Sequence, residues 1–308
     1  MRVTLIHNPN AGADQPPSAA ELRQLIRDAG HDISYQSSKE DGWKAALKKE
    51  TDLIAIAGGD GTVARVARRM AGRGVPLAIL PLGTANNIAN SLGIADMPIR
   101  KQVAAWEDAP RVPFDTAQAK GPWGSRRMVE GLGIGLFAWT MPQASDSKAL
   151  EKIDDPDEAV AHVLKMLQDR LEHYKPRELE VTLDGKDLSG DYVMLEVMNL
   201  QYVGPHLHLA PGVQPGDGLL HVVTVGEAER KRFHRYLGHW QKGRTTDVDL
   251  PTFSGHSLKI KRGDYEVHVD DRLWPDPEDS SAGKGSTIEI EVEPAALEFL
   301  IPKKNGKA

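Results

Sequence analysis

The chain contains no cysteine. That excludes disulfides and thiolate metal centres and is compatible with a reducing compartment. No stretch approaches the roughly 18 consecutive apolar residues that a membrane-spanning helix needs. The first residues, Met1-Arg2-Val3-Thr4-Leu5-Ile6, read as a strand and lack the apolar core and cleavage site of a signal peptide. Excess positive charge is also missing. The formal net charge is −6, which argues against a nucleic-acid binder. No internal repeat is visible. What remains is an ordinary globular composition, 40% hydrophobic and 27% charged over 308 residues, long enough for two cores.

Up to about residue 115 the chain alternates short apolar strands with helical patterns. Val3 to Ile6, Asp32 to Gln36, Leu53 to Ala57 and Pro76 to Leu80 read as strands. Ala19 to Ala29 reads as a helix stopped by Gly30, and Gly42 to Lys49 as a short one. This order implies a Rossmann-like parallel α/β domain over residues 1–115, with ligands at the carboxyl ends of the strands. Beyond residue 115, short β-rich segments are separated by turns such as Asp184-Gly185-Lys186 and Pro215-Gly216-Asp217-Gly218. An antiparallel β-sandwich over residues 116–308 is the expectation. One helix interrupts it, about Asp157 to Tyr174, its apolar face made by Val160, Val163, Leu164, Leu167 and Leu171. Packing on the sheet is the simpler role for that face; lining an acyl-chain pocket is the alternative. The polar stretch from Asp276 to Lys284 and the last residues, Asn305 to Ala308, read as mobile.

Gly58-Gly59-Asp60-Gly61-Thr62 is the most specific segment, set between the third strand and a helix-like run from Val63 to Ala71. Glycines let the backbone approach a phosphate, and unpaired amides at a helix start point towards it. A carboxylate, Asp60, among those amides asks for a divalent cation between it and a polyphosphate. The segment is therefore expected to hold a magnesium nucleotide. Asn8-Pro9-Asn10-Ala11-Gly12 leaves the first strand and suits a phosphate-facing turn. Pro81 to Asn90 leaves the fourth, with Thr84 placed as a helix N-cap.

These three loops, followed by Asp115, by Gly131-Leu132-Gly133-Ile134-Gly135, by Asp217-Gly218-Leu219-Leu220 and by Asp270-Asp271-Arg272, together resemble the diacylglycerol kinase catalytic family over nearly the whole chain. That family includes soluble bacterial lipid kinases and the sphingosine and ceramide kinases. The glycine loop alone is shared with NAD kinases, so NAD kinase-like transfer is an alternative. Pro81-Leu82-Gly83-Thr84-Ala85-Asn86 favours the lipid kinases.

The resemblance implies ATP and Mg2+ as cofactors. Asn8, Asn10, Gly12, Ser38, Gly58, Gly59, Asp60, Gly61, Thr62, Gly83, Thr84 and Asn86 would hold the nucleotide. Asp60, Asp115, Asp270 and Asp271 would serve catalysis, and Gln214, Asp217 and Leu219 a second, structural divalent cation. The implied acceptor is a lipid or other alcohol, met at a membrane surface by a cytoplasmic enzyme, with no nucleic-acid partner and a homodimer left open. Two positions depart from the pattern. Arg272 stands where the family has a glutamate expected as general base, and a guanidinium cannot accept that proton. Asn87 replaces a carboxylate. A regulator that binds nucleotide without transferring phosphate is therefore a second expectation. A basic stretch, Lys231, Arg232, His234, Arg235 and His239, is read either as a solvated helix face or as a contact for anionic headgroups.

Overall fold

The computed structural model describes residues 1–12, 16–153, 155–261, 263, 265–274 and 287–303. The segments 276–284 and 305–308, expected to be mobile, lie outside them. The chain divides into two compact units, Met1–Phe114 with Ala295–Ala308, and Asp115–Pro294. The sequence reading keeps residues 116–308 together, whereas the structure returns the segment from Ala295 to the first unit. There Phe299 pairs in parallel with Leu77 and its ring meets Phe114 edge-on at 5.1 Å.

In the first unit the strands are β1 (Arg2–His7), β2 (Asp32–Ser37), β3 (Leu53–Gly58) and β4 (Leu77–Pro81). They pair in parallel in the order β4-β3-β1-β2. All six residues of β3 are buried, as expected of a parallel strand covered on both faces. α1 (Ala19–Asp28) starts at a capping box. The Ser18 hydroxyl accepts from the Glu21 amide, the Glu21 carboxylate accepts from the Ser18 amide, and Leu22 and Ile26 face the core. The short second helix is shorter than the pattern suggests: α2 covers only Trp43–Ala46. α3 (Asp60–Met70), α4 (Asn87–Ser91) and α5 (Ile99–Ala104) complete the unit. The chain order places the switch point between β1 and β3, where an α/β sheet opens a crevice for ligands.

The second unit is built on antiparallel sheets. β5 (Arg111–Gly121) enters it and pairs with β6 (Gly124–Met128). Then come β7 (Gly131–Gly135), α6 (Leu136–Ser145), α7 (Pro156–His173), β8 (Arg177–Leu183), β9 (Lys186–Asp187), β10 (Gly190–Tyr192) and β11 (Met194–Met198). The short hairpin β12 (Tyr202–Val203) and β13 (Leu207–His208) follows. After it come β14 (Leu220–Val225), α8 (Arg230–Trp240), β15 (Thr252–Gly255), β16 (Ser257–Lys261), β17 (Val267–Val269), β18 (Arg272–Trp274) and β19 (Thr287–Leu300).

One six-stranded sheet has the order β15-β14-β11-β7-β17-β18. Its inner face, with Leu132, Leu195, Val197 and Val267, packs on Val181, Leu258, Ile260 and Ile288 of the β8-β16-β19 layer. Its other face is covered by α6, α7 and α8, where Leu164, Leu167 and Leu171 of α7 meet Met194, Val223 and Phe233. The apolar face of α7 therefore packs on the sheet. Being covered on both sides explains why every residue of β14 is buried. Among the described residues, no helix is long and apolar enough to cross a membrane.

Candidate functional site

The three loops of the first unit meet at the carboxyl ends of the strands. α3 begins at Asp60, three residues before the expected start, because β3 runs straight to Gly58 and Gly59 is the N-cap. Glycine has no side chain to cap α3, whose Thr62 and Val63 amides donate to the Gly59 carbonyl at 2.9 and 3.1 Å, and a helix start without a side-chain cap suits an anion. The Asn8 side-chain amide donates to the Thr62 hydroxyl at 3.3 Å, and the Leu82 amide donates to the Gly58 carbonyl at 3.1 Å. The glycines are needed for close approach: a Cβ on Gly83 would lie 2.5 Å from the Gly59 Cα, and one on Gly12 would lie 2.8 Å from the Leu82 carbonyl oxygen.

Asp60 holds the second and third loops together. Its carboxylate accepts from the amides of Asn87 at 2.9 Å and Ile88 at 3.0 Å, so it caps α4. The expected N-cap, Thr84, is exposed instead. Asn86 occupies the cap position with φ +47°, and its side chain bonds the Gly83 backbone on both sides, at 2.9 and 2.6 Å. With a carboxylate from another loop supplying the acceptor, the Thr84 hydroxyl has no capping role. Asn10 is exposed, its amide bonded to the Asn8 side chain at 3.2 Å.

Ser38 follows β2, its amide bonded to the His7 carbonyl at 2.7 Å. Its hydroxyl and the His7 Nε2 are buried without a hydrogen-bond partner, at the edge from which the Asn8 loop leaves. Burial lowers the His7 pKa and favours the neutral ring, whose Nδ1 lies 3.3 Å from the Tyr35 hydroxyl. Two buried polar atoms without partners beside a glycine loop fit a polar ligand that would satisfy them. His7 is a further candidate that the sequence reading did not name, although its place just before the loop marked it.

The remaining expected residues lie in the second unit. Asp115 is 1% exposed and holds the Gln214–Leu219 turn. Its carboxylate accepts from the Gly218 amide at 2.6 Å, and its own amide donates to the Pro215 carbonyl at 2.6 Å. The buried Asn199 side chain donates to the carbonyls of Asp115 and Val129, both at 2.8 Å. Asp217 accepts from the Leu219 amide at 3.0 Å and pairs with His221 Nε2 at 2.9 Å, while His221 Nδ1 meets the Ser254 hydroxyl at 3.0 Å. No group of three or more His, Asp or Glu side chains converges as for a metal among the described residues. A cation at Gln214, Asp217 and Leu219 would thus rest on one carboxylate, already bonded to His221, and on backbone carbonyls.

Asp270 and Asp271 form the two-residue turn of the β17–β18 hairpin, and they face different surroundings. Asp270 has φ +52°, and its carboxylate accepts from the amides of Val129, Glu130 and Gly131 at 2.8 to 3.2 Å. It fixes the entry to β7. Asp271 and Arg272 are exposed. Beneath the hairpin, Glu196 and His268 reach across β7 from the two neighbouring strands and meet over Gly133. His268 Nε2 lies 2.9 and 3.1 Å from the Glu196 oxygens, and Glu196 is 0% exposed. Burial opposes the imidazolium, but the Glu196 carboxylate outweighs it, and the His268 pKa is raised. A Cβ on Gly133 would fall 2.0 Å from a Glu196 oxygen. The pair was missed because the sequence shows only two isolated polar residues in apolar strands.

Comparison with known proteins agrees with this architecture. The model of the diacylglycerol kinase catalytic domain matches residues 2–119, and that of the YegS C-terminal NAD kinase beta sandwich-like domain matches residues 143–301. A YegS-like protein of Klebsiella pneumoniae (strain 342), described as a lipid kinase, is 31% identical over 226 residues, 70% of this chain and 72% of that one. The chain belongs to the diacylglycerol kinase and YegS-like lipid kinase family. A diacylglycerol kinase of Bacillus subtilis (strain 168) is 27% identical over 285 residues, covering 88% of this chain and 87% of its own. The fold is shared with a crystal structure of a diacylglycerol kinase from Bacillus anthracis, at a TM-score of 0.66, 22% identity, and 97% and 96% coverage. It is shared more distantly with yeast NADH kinase, at a TM-score of 0.53, 11% identity, and 99% and 84% coverage. Within this family the two departures sit differently. Asn87 is buried and donates its amide to Asp60, whereas Arg272 is exposed beside Asp271.

Proposed function

We propose that the protein is an ATP- and Mg2+-dependent lipid kinase that transfers the γ-phosphate to a lipid hydroxyl of the diacylglycerol kind. The observation that carries this reading is the convergence of three loops on the side-chain-free N-cap of α3, packed so closely that Gly59 and Gly83 touch backbone to backbone. Amides of α3, the Asn8 loop and the partnerless Ser38 hydroxyl would receive the nucleotide. Mg2+ bound with the nucleotide, near Asp60, would neutralise phosphate charge. The acceptor hydroxyl attacks the γ-phosphorus in line and ADP leaves. Because the transition state is loose, placement and charge neutralisation contribute more than proton removal. A carboxylate accepts the hydroxyl proton in this scheme, and Asp115 and Asp270 position the loops they hold. The Gln214–Leu219 turn is the proposed seat of a structural divalent cation. The enzyme works in the cytoplasm and meets the bilayer transiently.

A second reading, a regulator that binds nucleotide without transfer, is favoured by Arg272 and by Asp270, whose carboxylate is held by three backbone amides. Labelled γ-phosphate offered with Mg2+ and a panel of lipids in mixed micelles separates the two. Label in one lipid supports the kinase and identifies its acceptor. ATP binding with no labelled lipid, and label appearing after Arg272→Glu, would support a decayed kinase acting as a regulator.

A further inference from the structure

A charge-asymmetric helix lies outside the nucleotide loops. From Arg230 to Thr246 the chain has six Lys and Arg residues and no Asp or Glu, in a protein of net charge −6. α8 buries Phe233, Tyr236 and Leu237 against the sheet, which orients the rest of the helix outward. Its cations fall into two sets. Arg230, Arg232 and His234 are held by the neighbouring acids: Arg230 by Glu227 at 2.8 Å, Arg232 by Asp249 at 3.5 Å and His234 by Glu172 at 3.1 Å. Lys231, Arg235 and His239 recur every four residues on the exposed face, with Lys242 and Arg244 exposed just beyond the helix end. None of these five takes part in an ion pair among the described residues. The acids that would neutralise the stripe are thus engaged by the inner cations. At its head an open groove of about 640 Å³ is lined by Leu171, Glu172, Arg230, Lys231, His234 and Arg235.

We propose that this face of α8 is the surface by which the protein rests on an anionic bilayer. The inference deepens the lipid-kinase reading and rests on it for the presence of a bilayer. Charge complementarity selects the occupant. A chain with net negative charge is repelled from an anionic surface unless it presents a stretch free of acids, and a flat array of headgroup phosphates matches a stripe of Lys and Arg. No large hydrophobic side chain is exposed among the described residues, so contact is electrostatic, without apolar insertion. It should therefore weaken steeply with salt and be absent on neutral lipid.

The test is flotation of the full chain, without nucleotide, on phosphatidylcholine vesicles with and without phosphatidylglycerol. The expected result is binding only to the phosphatidylglycerol vesicles. It should fall about 100-fold in the triple variant Lys231→Gln, Arg235→Gln, Lys242→Gln, from roughly five-fold per surface cation. A control, Lys44→Gln, Lys48→Gln, Lys49→Gln, removes the same charge from exposed positions of the first unit and should retain binding. No binding to anionic vesicles, or equal loss in both variants, overturns the proposal. Binding of the α8 variant at the wild-type level overturns it too. Transfer to a short-chain diacylglycerol dissolved without bilayer is measured in parallel. Transfer that persists while flotation fails removes the docking surface and leaves the kinase reading intact.

Discussion

Replacing His268 by Gln leaves the Glu196 carboxylate in a fully buried site with no cationic partner. The pair bridges two strands across Gly133, and no water-accessible route relieves a carboxylate that is 0% exposed. Removing one partner of such a pair costs about 3–5 kcal/mol, a large fraction of a domain's stability. Glu196→Gln is milder, because it keeps the volume above Gly133 and leaves a neutral imidazole. The double variant, His268→Leu with Glu196→Leu, should recover most of the loss, since a buried pair is often replaceable by apolar volume.

The pH dependence has a definite sign. The folded pKa of His268 lies above its ordinary value of 6.5, raised by Glu196 against the opposing effect of burial. The folded state therefore binds the proton more tightly than the unfolded chain. The stabilisation is complete below about pH 6.5 and is lost as pH rises through the folded pKa. Urea unfolding of wild type and Glu196→Gln at a series of pH values reads this directly. Wild type should lose stability on the alkaline side while Glu196→Gln stays nearly flat there. Parallel curves, or a wild type that gains stability over that range, would refute the reasoning.

Gly83→Ala places a Cβ 2.5 Å from the Gly59 Cα, and the resulting shift of two backbones should cost about 1–3 kcal/mol of loop packing. Titration calorimetry should show an ATP Kd raised about 5- to 100-fold. Asp60→Asn keeps the shape but removes the charge that caps α4, and thermal unfolding of the first unit should show a loss of about 1 kcal/mol. If the Gln214–Leu219 turn seats a divalent cation, Mg2+ should raise the Tm of wild type, chelation should reverse the gain, and Asp217→Asn should respond to neither.

The parallel α/β character of the first unit was legible because apolar runs and glycine turns alternate at short range, whereas the spatial order of its strands was not. The β-rich second unit was legible for the same reason. The return of the segment from Ala295 was not, since a parallel pairing between Phe299 and Leu77 leaves no local signature. Inside the loops, residue types were easier to read than their bonds. Glycines announced close approach, but the amides that Asp60 accepts from lie 27 and 28 residues away, so its capping of α4 left no mark in the sequence. Asp115 and Asp270 repeat the lesson: each carboxylate accepts from backbone amides distant in sequence, Gly218 and Val129 to Gly131 respectively. His7, Asn199 and the Glu196–His268 pair escaped notice because one polar residue in an apolar strand looks alike whether it is orphaned, bonded or ion-paired.

The most direct test of the central claim is transfer of labelled γ-phosphate from ATP to a diacylglycerol in mixed micelles with Mg2+, wild type beside Gly83→Ala. The account predicts labelled lipid from wild type and little from the variant at limiting ATP, with the difference shrinking as ATP is raised. Wild type that binds ATP yet labels no lipid at any ATP concentration would contradict it.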